Sequence, residues 1–274
     1  MSNWSSNRIF HFLWRKQNYL YIIPIITFLY LTKLDLQTID YGHHISIAKW
    51  YKENWFSLTD YKHGYIDIGN YPPLAHQLLA LFSFIAPIKI VYYIIVFIFW
   101  ALTALFSSLF LLEYVSIKNL NKYLPTLFFF SSLSLAIIKS IFEWGQFTTI
   151  IGFAFGFMSL YYLLVAVKTN ERLFFVLFSL SLSLLFFSHH LSALIFFFFF
   201  VPFLILEFKL FFKRIRNLIL FSFLSFSLII IGNYPSLERI LSSEPVPSIE
   251  IPHESRACVV LIKLTKFYHL FLFF

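Results

Sequence analysis

The sequence predicts an all-α polytopic membrane protein of about seven to eight transmembrane helices, with two in-plane juxtamembrane helices in the first outer loop. Three observations predict it. Of 274 residues, 59% are hydrophobic and 12% charged, about half the charged share of a soluble domain, which excludes a soluble globular protein. Apolar runs near the length of a bilayer span recur at 19–33, 90–112, 124–142, 147–167, 173–188, 191–206 and 217–232. The third observation is how the charges alternate between these runs.

A shorter apolar run, Leu74 to Ala86, decides the topology. It is interrupted by His76 and Gln77 and closed by Pro87, and at about 13 residues it falls below spanning length. If it lies flat, the segments 1–16, 113–123, 168–172 and 207–216 share one side and hold 11 Lys/Arg in 42 residues, against 8 in 92 on the other side. If it spans, Lys209, Lys213, Arg214 and Arg216 end up opposite Arg8, Arg15 and Lys16, against the positive-inside bias. The expectation is therefore a multi-pass protein of the cell (plasma) membrane with a cytoplasmic amino terminus. The net charge of +8 then reflects topology and anionic headgroups. No Lys/Arg cluster sits on a soluble module, so no nucleic-acid partner is expected.

Residues 1–232 read as the transmembrane module, with the outer loop 34–89 inside it. Residues 233–257, with Pro235, Pro245, Pro247 and Pro252, read as a second outer loop, and 258–274 as a partial or truncated last span broken by Lys263 and Lys266. Residues 1–18 lack the pattern of a cleaved leader, so the first span is expected to stay as an anchor. The single Cys258 supports neither an intramolecular disulfide nor a thiolate metal cluster.

The outer loop 34–89 is the richest in chemistry. Ile45, Ala48, Trp50, Tyr51 and Trp55 recur at helical spacing among Lys49, Lys52 and Glu53, which predicts an amphipathic helix lying on the bilayer with Trp and Tyr at headgroup depth. Pro72 and Pro73 force an extended entry into the second flat helix. Asp40 opens this platform, and His43 and His44 follow at i+3 and i+4, so a helical turn lets all three face one side. A carboxylate there can be a general base for a hydroxyl or a ligand to a divalent cation; equally, it can cap the helix.

Further along, Glu143 and Gln146 fall on the outer side between the third and fourth spans, either lining a pocket or forming an ordinary turn. Lys139, one helical turn before Glu143, could pair with it or hold a phosphate. His189 and His190 lie in the middle of a 34-residue apolar stretch and mark the turn of a hairpin of two short spans. They are either hydrated turn residues or part of one outward pocket with Asp40 and Glu143.

The order of these features resembles the GT-C membrane glycosyltransferases. The features are a short lead, one span, the Asp40-to-His44 loop, two surface helices, Tyr71-Pro72-Pro73-Leu74, Gly145-Gln146 and Ser188-His189. Most of residues 17–206 is similar to the prokaryotic and archaeal membrane proteins labelled 6-pyruvoyl-tetrahydropterin synthase-related. The resemblance implies transfer of a sugar from a polyprenyl-phosphate-linked donor to a glycan, lipid or protein acceptor on the outer face. It places the catalytic role on Asp40 alone; from its position beside Asp40, His44 would orient it or touch phosphate, and His43, Tyr71, Glu143, Gln146 and His189 would complete the site as the lining of a substrate pocket. A divalent cation is compatible with this chemistry, although the visible ligands do not assign one. The alternative is a non-catalytic membrane protein that binds or moves a lipid-linked glycan or a lipid headgroup. A secondary transporter is disfavoured, because inverted repeats and charged, broken midplane helices are not seen.

Overall fold

The computed structural model describes residues 18–33, 39–55, 62–63, 66–67, 72–116, 120–142 and 145–232. Within them, α1 (Tyr19–Lys33) is followed by the platform helices α2 (Ile39–Glu53) and α3 (Leu74–Phe82), with a two-residue ladder, β1 (Lys62–His63) and β2 (Ile66–Asp67), between them. The ladder is antiparallel, with Lys62 opposite Asp67 and His63 opposite Ile66. Then come α4 (Ile88–Tyr114), α5 (Leu120–Ser132), α6 (Leu135–Phe142), α7 (Phe147–Thr169), α8 (Arg172–Ser188), α9 (His190–Leu206), α10 (Phe208–Phe212) and α11 (Ile215–Gly232). Helices dominate because each apolar run can satisfy its backbone polar groups internally only by closing i to i+4 bonds.

Two of them, α4 with 27 residues and α7 with 23, are long and apolar enough to cross a membrane; α1, α8, α9 and α11 are apolar but shorter. The bundle is built around α7, which packs against α4, α8 and α9. Small residues make this central position possible. Gly152 faces Ser192 and His189, and Gly156 faces the ring of Phe196, so α9 can approach where any larger side chain would collide. The outer surfaces of α9 to α11 are largely apolar, with Phe197, Phe198, Phe199, Leu206, Phe208 and Phe223 exposed and the cations Lys209 and Arg216 confined to one end.

Specific contacts identify the two ends of the bundle. At one, Lys168 at the end of α7 bonds Glu113 at the end of α4 at 2.9 Å, and Asn217 of α11 donates to Asn170 at 3.0 Å. Asn170 ends α7 in the left-handed conformation at φ 62°, a helix stop that Asn tolerates. At the other end, α2 and α3 meet the starts of α4 and α7 and the α8–α9 turn. Helix α3 has nine residues, about 14 Å of rise, well short of a bilayer core.

Two expectations change. The run 124–142 is not one helix, because it breaks between α5 and α6 at Leu133–Ser134. There the Ser132 carbonyl accepts from Trp100 Nε1 at 3.0 Å, and the Ser132 hydroxyl bonds back to the Phe129 carbonyl at 3.0 Å. Such local side-chain bonds compete with the helix ladder. In α2, Ala48 and Tyr51 are turned into the protein rather than toward lipid. With Ile47 they are fully buried, and α2 packs on α3, where Ala75, Leu79 and Ala80 are buried too. Two short amphipathic helices cover each other's apolar stripe before either can offer it to lipid.

Candidate functional site

The platform is joined to the bundle through histidines. His44 Nδ1 of α2 lies 2.9 Å from His76 Nε2 of α3, with the two side chains 2% and 0% exposed. At that distance one nitrogen carries the proton and the other accepts it, so the two tautomers are tied to each other. The rings rest on Phe147, the first residue of α7, at centroid distances of 5.5 Å and 6.3 Å. Burial, together with the nearby His43 and His189, lowers the His44 imidazole to about 3 from its ordinary 6.5. Burial and the neighbouring His44 hold His76 well below its ordinary value as well. The pair is neutral at physiological pH.

The segment facing His44 is the sharp entry to α7. Gly145 has φ 64°, a conformation that favours glycine, and its carbonyl accepts from the Phe147 N–H at 2.7 Å. Gln146 between them, at φ −72° and ψ 66°, is the centre of an inverse γ-turn. The same Gly145 carbonyl lies in hydrogen-bonding reach of the His44 imidazole. Glycine adopts this conformation at the least steric cost, at the point where α7 begins against the buried His44 ring.

His189 closes the α8–α9 corner. Its extended backbone, φ −165°, ends α8 and caps α9, and Nδ1 accepts from the Ser192 N–H at 3.3 Å and pairs with the Ser192 hydroxyl at 2.8 Å. Thr149 Oγ1 of α7 is 3.5 Å from the same nitrogen. With Nδ1 accepting a backbone N–H, neutral His189 carries its proton on Nε2. Burial first, then the adjacent His190, lowers its pKa to about 4.

Asp40 lies in the first turn of α2, which starts at Ile39, so it stands inside the helix rather than at its cap. A carboxylate in the first turn is favoured by the helix dipole. It is one turn before His44 on the same face and within electrostatic reach of Tyr92. Beside it, the Tyr41 ring packs edge-on against Tyr92 at 4.8 Å and stacks with Tyr93 at 6.2 Å.

Of the residues that the sequence singles out, Asp40, His43, His44, Gln146 and His189 therefore share one end of the bundle, with the His43 ring 5.8 Å from that of His44. Lys139 is exposed on α6. Tyr71 and Glu143 lie outside the described residues, as do the segments 233–257 and 258–274. None of His76, Phe147, Tyr92 or Tyr93 is placed in the site by the sequence, where His76 figures only as an interruption of the run 74–86. A signal for His76 existed: a polar residue on the buried stripe Ala75, His76, Leu79, Ala80 needs a partner. Its partner is 32 residues away and could not be read locally. Among the described residues no group of three or more His, Cys, Asp or Glu is arranged to hold a metal ion.

Compared with family models, curated proteins and solved structures, the chain matches none.

Proposed function

We propose that this chain is a multi-pass membrane protein with a GT-C-like site on its outer face, transferring a sugar from a polyprenyl-phosphate-linked donor to an acceptor hydroxyl. The membrane part is supported by α4 and α7 and by the apolar outer surfaces of α9 to α11, since soluble monomers rarely expose contiguous apolar patches of that kind. In this reading the α2–α3 platform lies along the outer interface, and the Lys168 end, with Lys209, Lys213, Arg214 and Arg216, faces the cytoplasm.

One observation carries the functional part. Asp40, in the first turn of α2 and near Tyr92, stands one helical turn before the buried His44, which itself meets Gly145 and Phe147 and lies near His189. Asp40 then serves as general base: it takes the proton of the acceptor hydroxyl as the acceptor oxygen bonds to the sugar C1. The bond from C1 to the phosphate oxygen breaks, and its electron pair leaves with the polyprenyl phosphate. The stacked pair Tyr41 and Tyr93 supplies an aromatic edge beside Asp40 for the sugar, and the Nε2–H of His189 offers a donor for a phosphate oxygen.

The test is transfer from radiolabelled polyprenyl-phosphate hexoses by the full chain in nanodiscs, with membrane glycolipid and protein extracts as acceptors. The expected result is turnover that Asp40→Asn abolishes while donor binding persists. Donor binding without turnover in the unsubstituted protein would support the non-catalytic lipid-glycan binder instead.

A further inference from the structure

The carboxyl-terminal half of α2 is tied to α3 by two bonds: Lys52 Nζ donates to the Ser83 carbonyl at 3.2 Å, and Gln77 Nε2 donates to the Trp55 carbonyl at 3.3 Å. Between them and the amino-terminal turn, Ile47, Ala48 and Tyr51 make apolar contacts, which are non-directional. A hydrogen bond instead fixes both distance and angle. Nearer Asp40, a directional and fully buried link across this interface joins His44 and His76.

We propose that His76 is a positioning residue of the candidate site: its bond to His44 holds that ring against Phe147 and so fixes the amino-terminal part of α2, and with it the Asp40 carboxylate near Tyr92. His76 touches no reacting atom in this scheme. It acts through His44, one helical turn from Asp40. Because His76 is fully buried between α3 and Phe147, its own ring has little room to swing. A base must stand within hydrogen-bond reach of the proton it removes, so a small displacement of this turn costs rate rather than binding. The inference rests on the reading of Asp40 as the base.

Two measurements on the full chain in nanodiscs test it. With ¹⁵N-labelled histidine, a nitrogen–nitrogen coupling across the hydrogen bond should join His44 Nδ1 and His76 Nε2, and should vanish in His76→Leu. In the transfer assay His76→Leu should lower kcat on the order of 100-fold with KM little changed. His76→Gln, whose amide can face His44 Nδ1 from the same place, should recover most of that loss. An absent coupling in the unsubstituted protein, normal turnover in His76→Leu, or equal damage from Gln and Leu would each overturn the assignment. If Asp40→Asn also turns over normally, the base reading itself is lost and the assignment goes with it. An inactive Asp40→Asn beside an unimpaired His76→Leu removes the assignment alone.

Discussion

Trp100 Nε1 donates to the Ser132 carbonyl at 3.0 Å, joining the middle of α4 to the break between α5 and α6. Both residues are buried, at 2% and 0% exposure. The bond replaces a partner that the Ser132 carbonyl loses where the helix stops. Trp100→Phe keeps most of the ring packing but leaves that carbonyl without its donor, so it should cost about 1–3 kcal/mol. Thermal unfolding in detergent reads this directly, and an unchanged midpoint would mean that water or a neighbour takes the donor's place.

Gly156 meets the ring of Phe196, and a Cβ there would overlap ring atoms. Phe196 is 2% exposed and packed against Phe153 and Phe157 at 5.8 Å and 5.1 Å. The ring has nowhere to retreat, so Gly156→Ala should destabilise by about 1–3 kcal/mol through overpacking. Shortening the neighbour as well, in Gly156→Ala with Phe196→Leu, should restore part of the loss in the same melting experiment.

Stability should depend on pH through the buried histidines. The folded protein holds His44 unprotonated down to about 3 and His189 down to about 4, whereas the unfolded chain protonates both near 6.5. Between these values the unfolded state binds more protons, so stability is full above about 6.5 and falls as pH falls. The slope for His44 alone is roughly 1.4 kcal/mol per pH unit in that window. Melting at pH 7.5, 6 and 5 should show a falling midpoint, and a flat profile would mean that the imidazoles are hydrated or charged in the folded state.

Cysteine labelling tests the two-ended arrangement. In a Cys258→Ser background, cysteines at Gly42 and His190 should react with an impermeant thiol reagent from outside intact cells. Cysteines at Asn170 and Lys213 should react only after permeabilisation. Gly42 is a clean site, because a side chain added there meets open space. Reaction of Gly42 and His190 from opposite sides would break the shared site.

Where most helices lie, and which residues interrupt them, is legible along the chain. The apolar runs behind α4, α7, α8 and α9 match the observed helices with ends shifted by few residues, because apolar composition, Gly and Pro act over one or two helical turns. Asp40, His43, His44, Gln146 and His189 likewise stand out as polar residues in costly places. Which of these meet is a matter of tertiary packing. The carbonyl left open at the Leu133 break is met by Trp100, a residue of another helix, and Tyr51 is buried because α3 covers it. His44 finds its partner in His76, which the sequence shows only as a polar flaw in a short apolar run. The physical reason is one of range: periodicity and capping are written in neighbours along the chain, whereas burial of a polar group is settled by whichever distant element brings the complementary atom.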